Sequence, residues 1–295
     1  MGGQADMGDL AGTLDRFSDL GISTVELSIP AYGIMVGGKP ITERVRRLRQ
    51  ICSARPNTYT VHGPIALNFF DLDRLALHKD VCRAMIDLTA DLDSALLVIH
   101  AGVADLSSGE EPEEYYARQR GVLREMGDYA AKAGVRLAIE NVFVDKPGLH
   151  TPDPARLGQE LAAVGHSHVV GTLDVSHAHI AGTWSGYDSN LAIERFAPQV
   201  GHLHIHDSFG RPARMKTYTR QESLAYGMGD LHLPMGWGSI DWTRLLTDMP
   251  VLPETVFMVE LARDYWDYLE AMVTKAKGLA ALIDISSDQP QQLSA

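Results

Sequence analysis

Val200-Gly-His-Leu-His-Ile-His206, running on into Asp207-Ser208, is the stretch whose reading decides the fold. Side chains along a strand alternate between its two faces, so His202, His204 and His206 share one side and Leu203 and Ile205 the other. A strand that offers apolar residues to a layer of helices and imidazoles to the opposite side belongs to a sheet with a polar interior at one end. The same design recurs along the chain. Short apolar runs at 24–29, 59–62, 95–100, 136–140, 169–174, 200–206 and 255–260 each end in a polar residue or a Gly/Asp turn.

Amphipathic stretches at 74–92, 112–133, 155–164 and 242–249 separate those runs, and a last helix is expected over 264–283. Strands alternating with helices of this length form parallel βαβ units. Seven or eight such units within 295 residues predict a closed (β/α)8 barrel of the TIM type, an α/β fold, rather than an open sheet. No low-complexity linker divides the chain, which predicts a single domain over residues 1–285 and a polar, disordered tail at 286–295. An eight-stranded barrel needs a strand ahead of the 10–20 helix, and residues 1–8 suit one poorly. The first strand is therefore expected either to be degenerate or to be missing, leaving the barrel open there.

Composition narrows the function. The chain is 45% hydrophobic and 22% charged, and no apolar run of about 18 residues could span a membrane. No basic region leads into an apolar core at the N-terminus, so neither a secretory leader nor a membrane partner is expected. Cys52 and Cys82 are the only cysteines, which fits a reducing, cytoplasmic setting without disulfides or a thiolate zinc site. A net charge of −12 opposes the phosphate contacts that dominate nucleic-acid binding, so no nucleic-acid partner is expected.

The residues that end the strands carry the chemistry. They are His62 in TVHGP, His100 in VIHAG, Glu140 in AIEN, Asp174 in TLDVSHAH, His204 in GHLHIHDS and Glu260 in MVEL. All six are metal-ligand types, and in such barrels the C-terminal rim carries the active site. A buried, unpaired carboxylate is costly, so Glu140 and Glu260 call for a cation or a proton. Asp174-x-x-His177 adds a second imidazole just beyond one carboxylate, and Asp230-Leu231-His232 precedes the turn Pro234-Met-Gly-Trp-Gly238. Mixed nitrogen and carboxylate donors suit Zn²⁺, Mn²⁺, Fe²⁺ or Co²⁺ better than Ca²⁺ or Mg²⁺.

Over about residues 10–283 the sequence resembles the xylose isomerase-like barrels, which include sugar and sugar-phosphate isomerases, epimerases and endonuclease IV. The resemblance to the epimerases implies a metal tetrad of Glu140, Asp174, His204 and Glu260, with the two glutamates as catalytic acid and base. The resemblance to endonuclease IV implies a trinuclear zinc site that adds His62, His100, His177, Asp230 and His232. VHGPIALN also resembles that branch, whereas the loop at 102–114 is acidic where a DNA backbone would want Lys or Arg.

Two readings follow. In the first, one ion in the tetrad chelates a carbonyl and a neighbouring hydroxyl of a small sugar or sugar derivative. It stabilises the enediolate as a carboxylate removes the adjacent proton, while the remaining histidines orient hydroxyls. In the second, two or three zinc ions hydrolyse a small phosphoester, with Glu140 as a bridge. The first is preferred, with one to three ions per chain as the range to test; a homo-oligomer is compatible with the sequence. A carbohydrate-sensing barrel without activity is the third option, and the filled ligand set argues against it. The long segment between His206 and Asp230 carries Arg211, Arg214, Lys216 and Arg220 around Tyr218, with no Asp or Glu among residues 211–220. Loops of this kind often serve as lids, so one or more of Arg211, Arg214 and Arg220 are expected to bind an anionic group of the substrate, with His206 a further substrate-binding residue.

Overall fold

A computed structural model of the chain describes residues 7–287 except Glu110 and Asp248. Seven parallel strands form its sheet: β1 (Thr24–Ser28), β2 (Thr58–His62), β3 (Leu96–His100), β4 (Arg136–Glu140), β5 (Val169–Asp174), β6 (Val200–Ile205) and β7 (Val256–Val259). They pair in sequence order, β1 to β7, the order that consecutive βαβ units impose. The helices are α1 (Met7–Asp19), α2 (Thr42–Ser53), α3 (Leu75–Asp91), α4 (Pro112–Ala133), α5 (Pro154–Val164), α6 (Val175–Ser185), α7 (Ser189–Phe196), α8 (Arg220–Tyr226), α9 (Trp242–Leu246) and α10 (Leu269–Ser287). The (β/α)8 architecture expected from the sequence is the one observed, less one strand.

The strand faces divide as the alternation requires. Val25, Leu27, Tyr59, Val61, Leu97, Ile99, Leu137, Ile139, Leu173, Leu203 and Ile205 point outward into the large core shared with the helices. Inside the barrel, Leu96, Val98, Ala138 and Val170 fill the lower part as a separate apolar cluster, with Leu252 against it. Register brings the polar residues together above this plug: His100 pairs with Glu140, Glu140 with Thr172, and His204 with Asp174. A strand thus changes from apolar to ionisable along its own inward face, and β3 with β4 and β5 with β6 make the change at matching heights, whereas His62 on β2 pairs with Val98.

The missing strand has a definite place. Among the described residues no ladder joins β7 to β1, although the two strands come into contact. Beside them α1 and α10 enclose a cavity of about 340 Å³, lined by Phe17, Val25, Phe257, Leu269 and Val273, with Glu26 the charged residue on its barrel side. Residues 1–6, where the sequence offered its weak first strand, lie outside the described residues; Met7 and Gly8 belong to α1. The final helix starts later and runs further than expected, because residues Arg263–Tyr268 form a 3-10 turn before α10, which continues to Ser287. The rest of the expected tail, 288–295, is outside the described residues. Among the described residues no helix is long and apolar enough to cross a membrane.

Close packing of helix against sheet requires a small residue in β5. A Cβ built on Gly171 would stand 2.6 Å from the Phe196 ring and 3.3 Å from Gln199 O. Overpacking of this kind costs about 1–3 kcal/mol. Gly171→Ala should therefore lower the unfolding free energy by that amount without changing the fold, and a variant as stable as the parent would show that Phe196 can move freely.

Candidate metal centre

The upper barrel positions its ionisable groups by backbone devices that the local sequence supplies. Asp174 ends β5 and is also the N-cap of α6, accepting the His177 N–H at 2.7 Å, so helix start and ligand position coincide. Asn141, the residue after Glu140, clamps β4 to β5: its Oδ1 accepts from Asp174 N and its Nδ2 donates to Asp174 O, both at 2.9 Å. Asp207 is fully buried and organises the Gly-rich turn, accepting from Gly236 N, Trp242 Nε1 and Ser208 N. Its backbone exchanges both hydrogen bonds with Leu233, which carries the turn's start into the rim beside His232. His232 itself adopts φ 49°, a strained conformation for a non-glycine residue.

All nine ligand residues expected from the sequence meet in one connected cluster. Glu140 is its centre and is 1% exposed. Its Oε1 lies 3.2 Å from His177 Nδ1 and 3.3 Å from His204 Nδ1, while its Oε2 lies 3.2 Å from His62 Nε2 and 3.5 Å from His100 Nε2. His204 Nδ1 also faces Glu260 Oε2 at 3.6 Å and Asp174 Oδ2 at 4.0 Å. On the far side, Asp230 Oδ2 stands 2.9 Å from His232 Nε2 and 3.4 Å from His177 Nε2. His206, expected among the substrate contacts, is fully buried here instead, with Nε2 2.9 Å from Asp174 Oδ2 and its ring stacked on His232. Among the described residues five donor triads result: His62, His100 and Glu140; Glu140, Asp174 and His204; Asp174, His177 and His206; His206, Asp230 and His232; and, deeper in the barrel, Glu26, His202 and His204.

The geometry fits a divalent cation. Ligand atoms about 2.1 Å from a tetrahedral ion lie roughly 3.4 Å from one another, close to most of these separations. Several donors are buried without an in-line hydrogen bond, among them both ring nitrogens of His204, Nδ1 of His206 and Oδ1 of Asp230. Ligand histidines commonly anchor one ring nitrogen on a carbonyl or carboxylate and present the other. Here Nδ1 of His62 is 2.9 Å from Gly63 O, Nδ1 of His177 is 3.1 Å from Asn141 O, and Nδ1 of His232 is 3.1 Å from Glu260 O. In each case Nε2 faces a carboxylate of the cluster.

Acting on one another alone, these groups are strongly perturbed. Burial works to raise the Glu260 carboxyl, but the charge of His204 beside it prevails and holds it at about 2. Glu140 is likewise opposed by burial and still held well below the usual carboxylate range by its imidazole neighbours. Burial disfavours a charged His232, yet Asp230 next to it raises it to about 9. His177 and His204 are raised well above their ordinary value against the same penalty, His177 chiefly by Asp174 and His204 chiefly by Glu260 and Glu26. His100 goes the other way, because burial outweighs Glu140 and pushes it down to about 4.

The loop arginines are elsewhere. Arg211 Nη1 donates to Tyr226 O and the guanidinium lies over Phe209; Arg214 Nη2 donates to Trp184 O and stacks on that residue's ring. Arg220 pairs with Asp264 at 3.3 Å. Among the described residues no ion pair joins any of the three to the cluster. The sequence reading missed Glu26, on β1, which contacts His202 and His204 inside the barrel. The signal was present: in Val25-Glu26-Leu27 the glutamate takes the inward face by the same alternation that singled out Glu140.

A parallel barrel whose C-terminal rim gathers carboxylates and imidazoles defines a class of metal-site barrels. The chain matches the xylose isomerase-like TIM barrel family over residues 14–282, and it belongs to that family. No curated protein sequence matches it. Among solved structures, D-psicose 3-epimerase in the presence of D-fructose is 16% identical, with 95% of each chain covered and a TM-score of 0.60. The 3-keto-D-glucoside 4-epimerase from E. coli is 13% identical over 92% of this chain and 94% of that one, at 0.63. A Thermus thermophilus protein soaked with zinc chloride is 22% identical over 94% and 96%, at 0.60. At these identities the likeness is one of fold.

Because a metal ion must displace protons from His177, His204 and His232, binding should release them well above the pH at which ordinary histidines do so. Zn²⁺ affinity is expected to rise continuously from about pH 6 towards about 9, the value to which His232 is raised. Calorimetric titration in buffers of different ionisation enthalpy reads the protons released. An affinity that is flat above neutral pH would show that the imidazoles are already neutral.

Proposed function

We propose that the protein is a divalent-metal-dependent isomerase or epimerase of a small sugar or sugar derivative. The observation that carries this reading is the convergence of Glu140 Oε1, Glu260 Oε2 and Asp174 Oδ2 on one ring nitrogen, His204 Nδ1, at 3.3, 3.6 and 4.0 Å. A cation bound by these four residues supplies a Lewis acid that makes a proton beside a carbonyl easier to remove. The chain supplies the rest. Glu140 and Glu260 are both ionised at neutral pH and come from different strands, so one takes the proton from carbon and the other returns it. His62 and His100, at the ends of β2 and β3, have ring nitrogens beside Glu140 and orient hydroxyls of the bound sugar. The family and the sugar epimerases of the same fold support this choice of substrate.

A second reading rests on Glu140's other oxygen. Oε2 faces His62 and His100, and Asp230, His232 and His206 make a further donor set, so the chain offers places for two more ions. With those filled, Glu140 would be shared between ions and the residues would hold zinc suited to hydrolysing a phosphoester. Metal analysis of protein purified without chelator separates the two: near one ion per chain supports the isomerase, and two or three support the hydrolase.

For the isomerase, incubating D-fructose, D-psicose and D-tagatose with the Mn²⁺- or Zn²⁺-loaded enzyme in heavy water should place deuterium on the carbon next to the carbonyl. Glu140→Gln and Glu260→Gln should each lower that exchange by at least about 10²-fold while the circular dichroism spectrum is unchanged. Either variant retaining more than about a tenth of the parent rate removes its carboxylate from the proton transfer.

If the sugar carries an anionic group, Arg211, Arg214 and Arg220 are its candidate clamps, each giving up a partner it now holds. Replacing all three with Ala should raise KM for such a substrate and leave metal content unchanged. An unchanged KM assigns these side chains to the loop alone.

A further inference from the structure

Three ligand histidines of the cluster rest Nδ1 on a backbone carbonyl and turn Nε2 to a carboxylate, with His177 Nδ1 also 3.2 Å from Glu140 Oε1. His204 is reversed. Its Nδ1 faces Glu140, Glu260 and Asp174, and its Nε2 points into the barrel, where among the described residues it makes no in-line hydrogen bond. What stands there is Glu26 Oε1, at 3.1 Å. Glu26 is 2% exposed on β1, and its other oxygen accepts from Thr60 Oγ1 at 3.2 Å and lies 3.3 Å from His202 Nε2. A carboxylate this deep gains nothing from solvent, so its neighbours must supply the protons that stabilise it.

We propose that Glu26 is a positioning residue for the metal centre: it holds the Nε2 proton of His204 and so commits Nδ1 to the cation. The proposal rests on the reading of His204 as a metal ligand. A neutral imidazole carries one N–H, and which nitrogen bears it decides which nitrogen can bind. Against Glu26 the tautomer with the proton on Nε2 is favoured, because an N–H meets a carboxylate rather than a lone pair doing so. On Oε2 the Thr60 hydroxyl donates, and His202 Nε2 stands 3.3 Å from the same oxygen without an in-line hydrogen bond. Glu26 does for His204 what the carbonyls of Gly63, Asn141 and Glu260 do for the other three histidines, with a full charge in place of a dipole.

The test begins with the unaltered protein. In the Zn²⁺-loaded protein labelled with ¹⁵N-histidine, the His204 resonance should show Nδ1 metallated and Nε2 carrying a proton that exchanges slowly with water. Metal on Nε2 overturns the proposal whether or not any variant folds. In Glu26→Gln, Zn²⁺ affinity measured against a chromophoric chelator should fall about 10–100-fold. The Nε2 proton should exchange faster, and the number of ions bound should stay the same. Parent-like affinity in a folded Glu26→Gln protein would falsify the positioning role, and so would loss of a whole equivalent of metal, which makes Glu26 a ligand in its own right. Failure of the underlying reading looks different. In that case His204→Gln binds Zn²⁺ as tightly as the parent, or the parent binds no ion at all.

Discussion

Glu140 lies at the end of a barrel strand with four imidazoles around its two oxygens: His62 and His100 on one, His177 and His204 on the other. Its charge cannot be left uncompensated at such depth, and the surrounding architecture serves that compensation. The strands end where they do so that their last inward residues reach Glu140. Asn141 ties its strand to the next, and α6 starts at Asp174 so that a second carboxylate is fixed nearby. The same crowding raises His177 and His204 and lowers Glu140, so the centre exists as a set of mutual ionisations in which no member can be judged by itself.

Beneath the rim the barrel is apolar on one side, while Glu26, Thr60 and His202 line the other. Leu96, Val98, Ala138 and Val170 close it off from below, and water has little access to the cluster from that direction. This partition gives the upper groups a low-dielectric floor, where charge–charge interactions are stronger than in solvent. Asp207 extends the rigid frame outward by gathering the amides of the Gly-rich turn on one buried carboxylate, so that His232 can hold a strained backbone within reach of Asp230.

The fold was legible because its strands obey a period of two and end in residues that have no business in a core. Glu140, Asp174, His204 and Glu260 announced themselves in that way. Glu26 was less conspicuous, since it sits inside its strand and no turn follows it; alternation in Val25-Glu26-Leu27 puts it inward, but its meeting with His202 becomes visible only once β1 and β6 are seen across the barrel. His206 was read as a substrate contact because it borders the long loop, but the strand carries it inward to Asp174. The arginines illustrate a different limit. Their charge pattern is plain in the sequence, whereas the carbonyls of Tyr226 and Trp184 and the carboxylate of Asp264 that engage them are set by loop conformation alone. The short α8 within that loop left too weak a period to be noticed.

The gap between the first and last strands gains meaning from what is placed on either side of it. β1 carries Glu26 and β7 leads into Glu260, and among the described residues no ladder of backbone hydrogen bonds fastens one strand to the other. His204, reaching over from β6, touches both carboxylates, one with each ring nitrogen. The imidazole is therefore a crossbar between the two free edges of the cylinder. Were a cation held by His204 Nδ1 and Glu260, the same ring would link the Glu260 edge to the Glu26 edge through its two nitrogens. Assembly of the centre and closure of the barrel would then be coupled through one side chain.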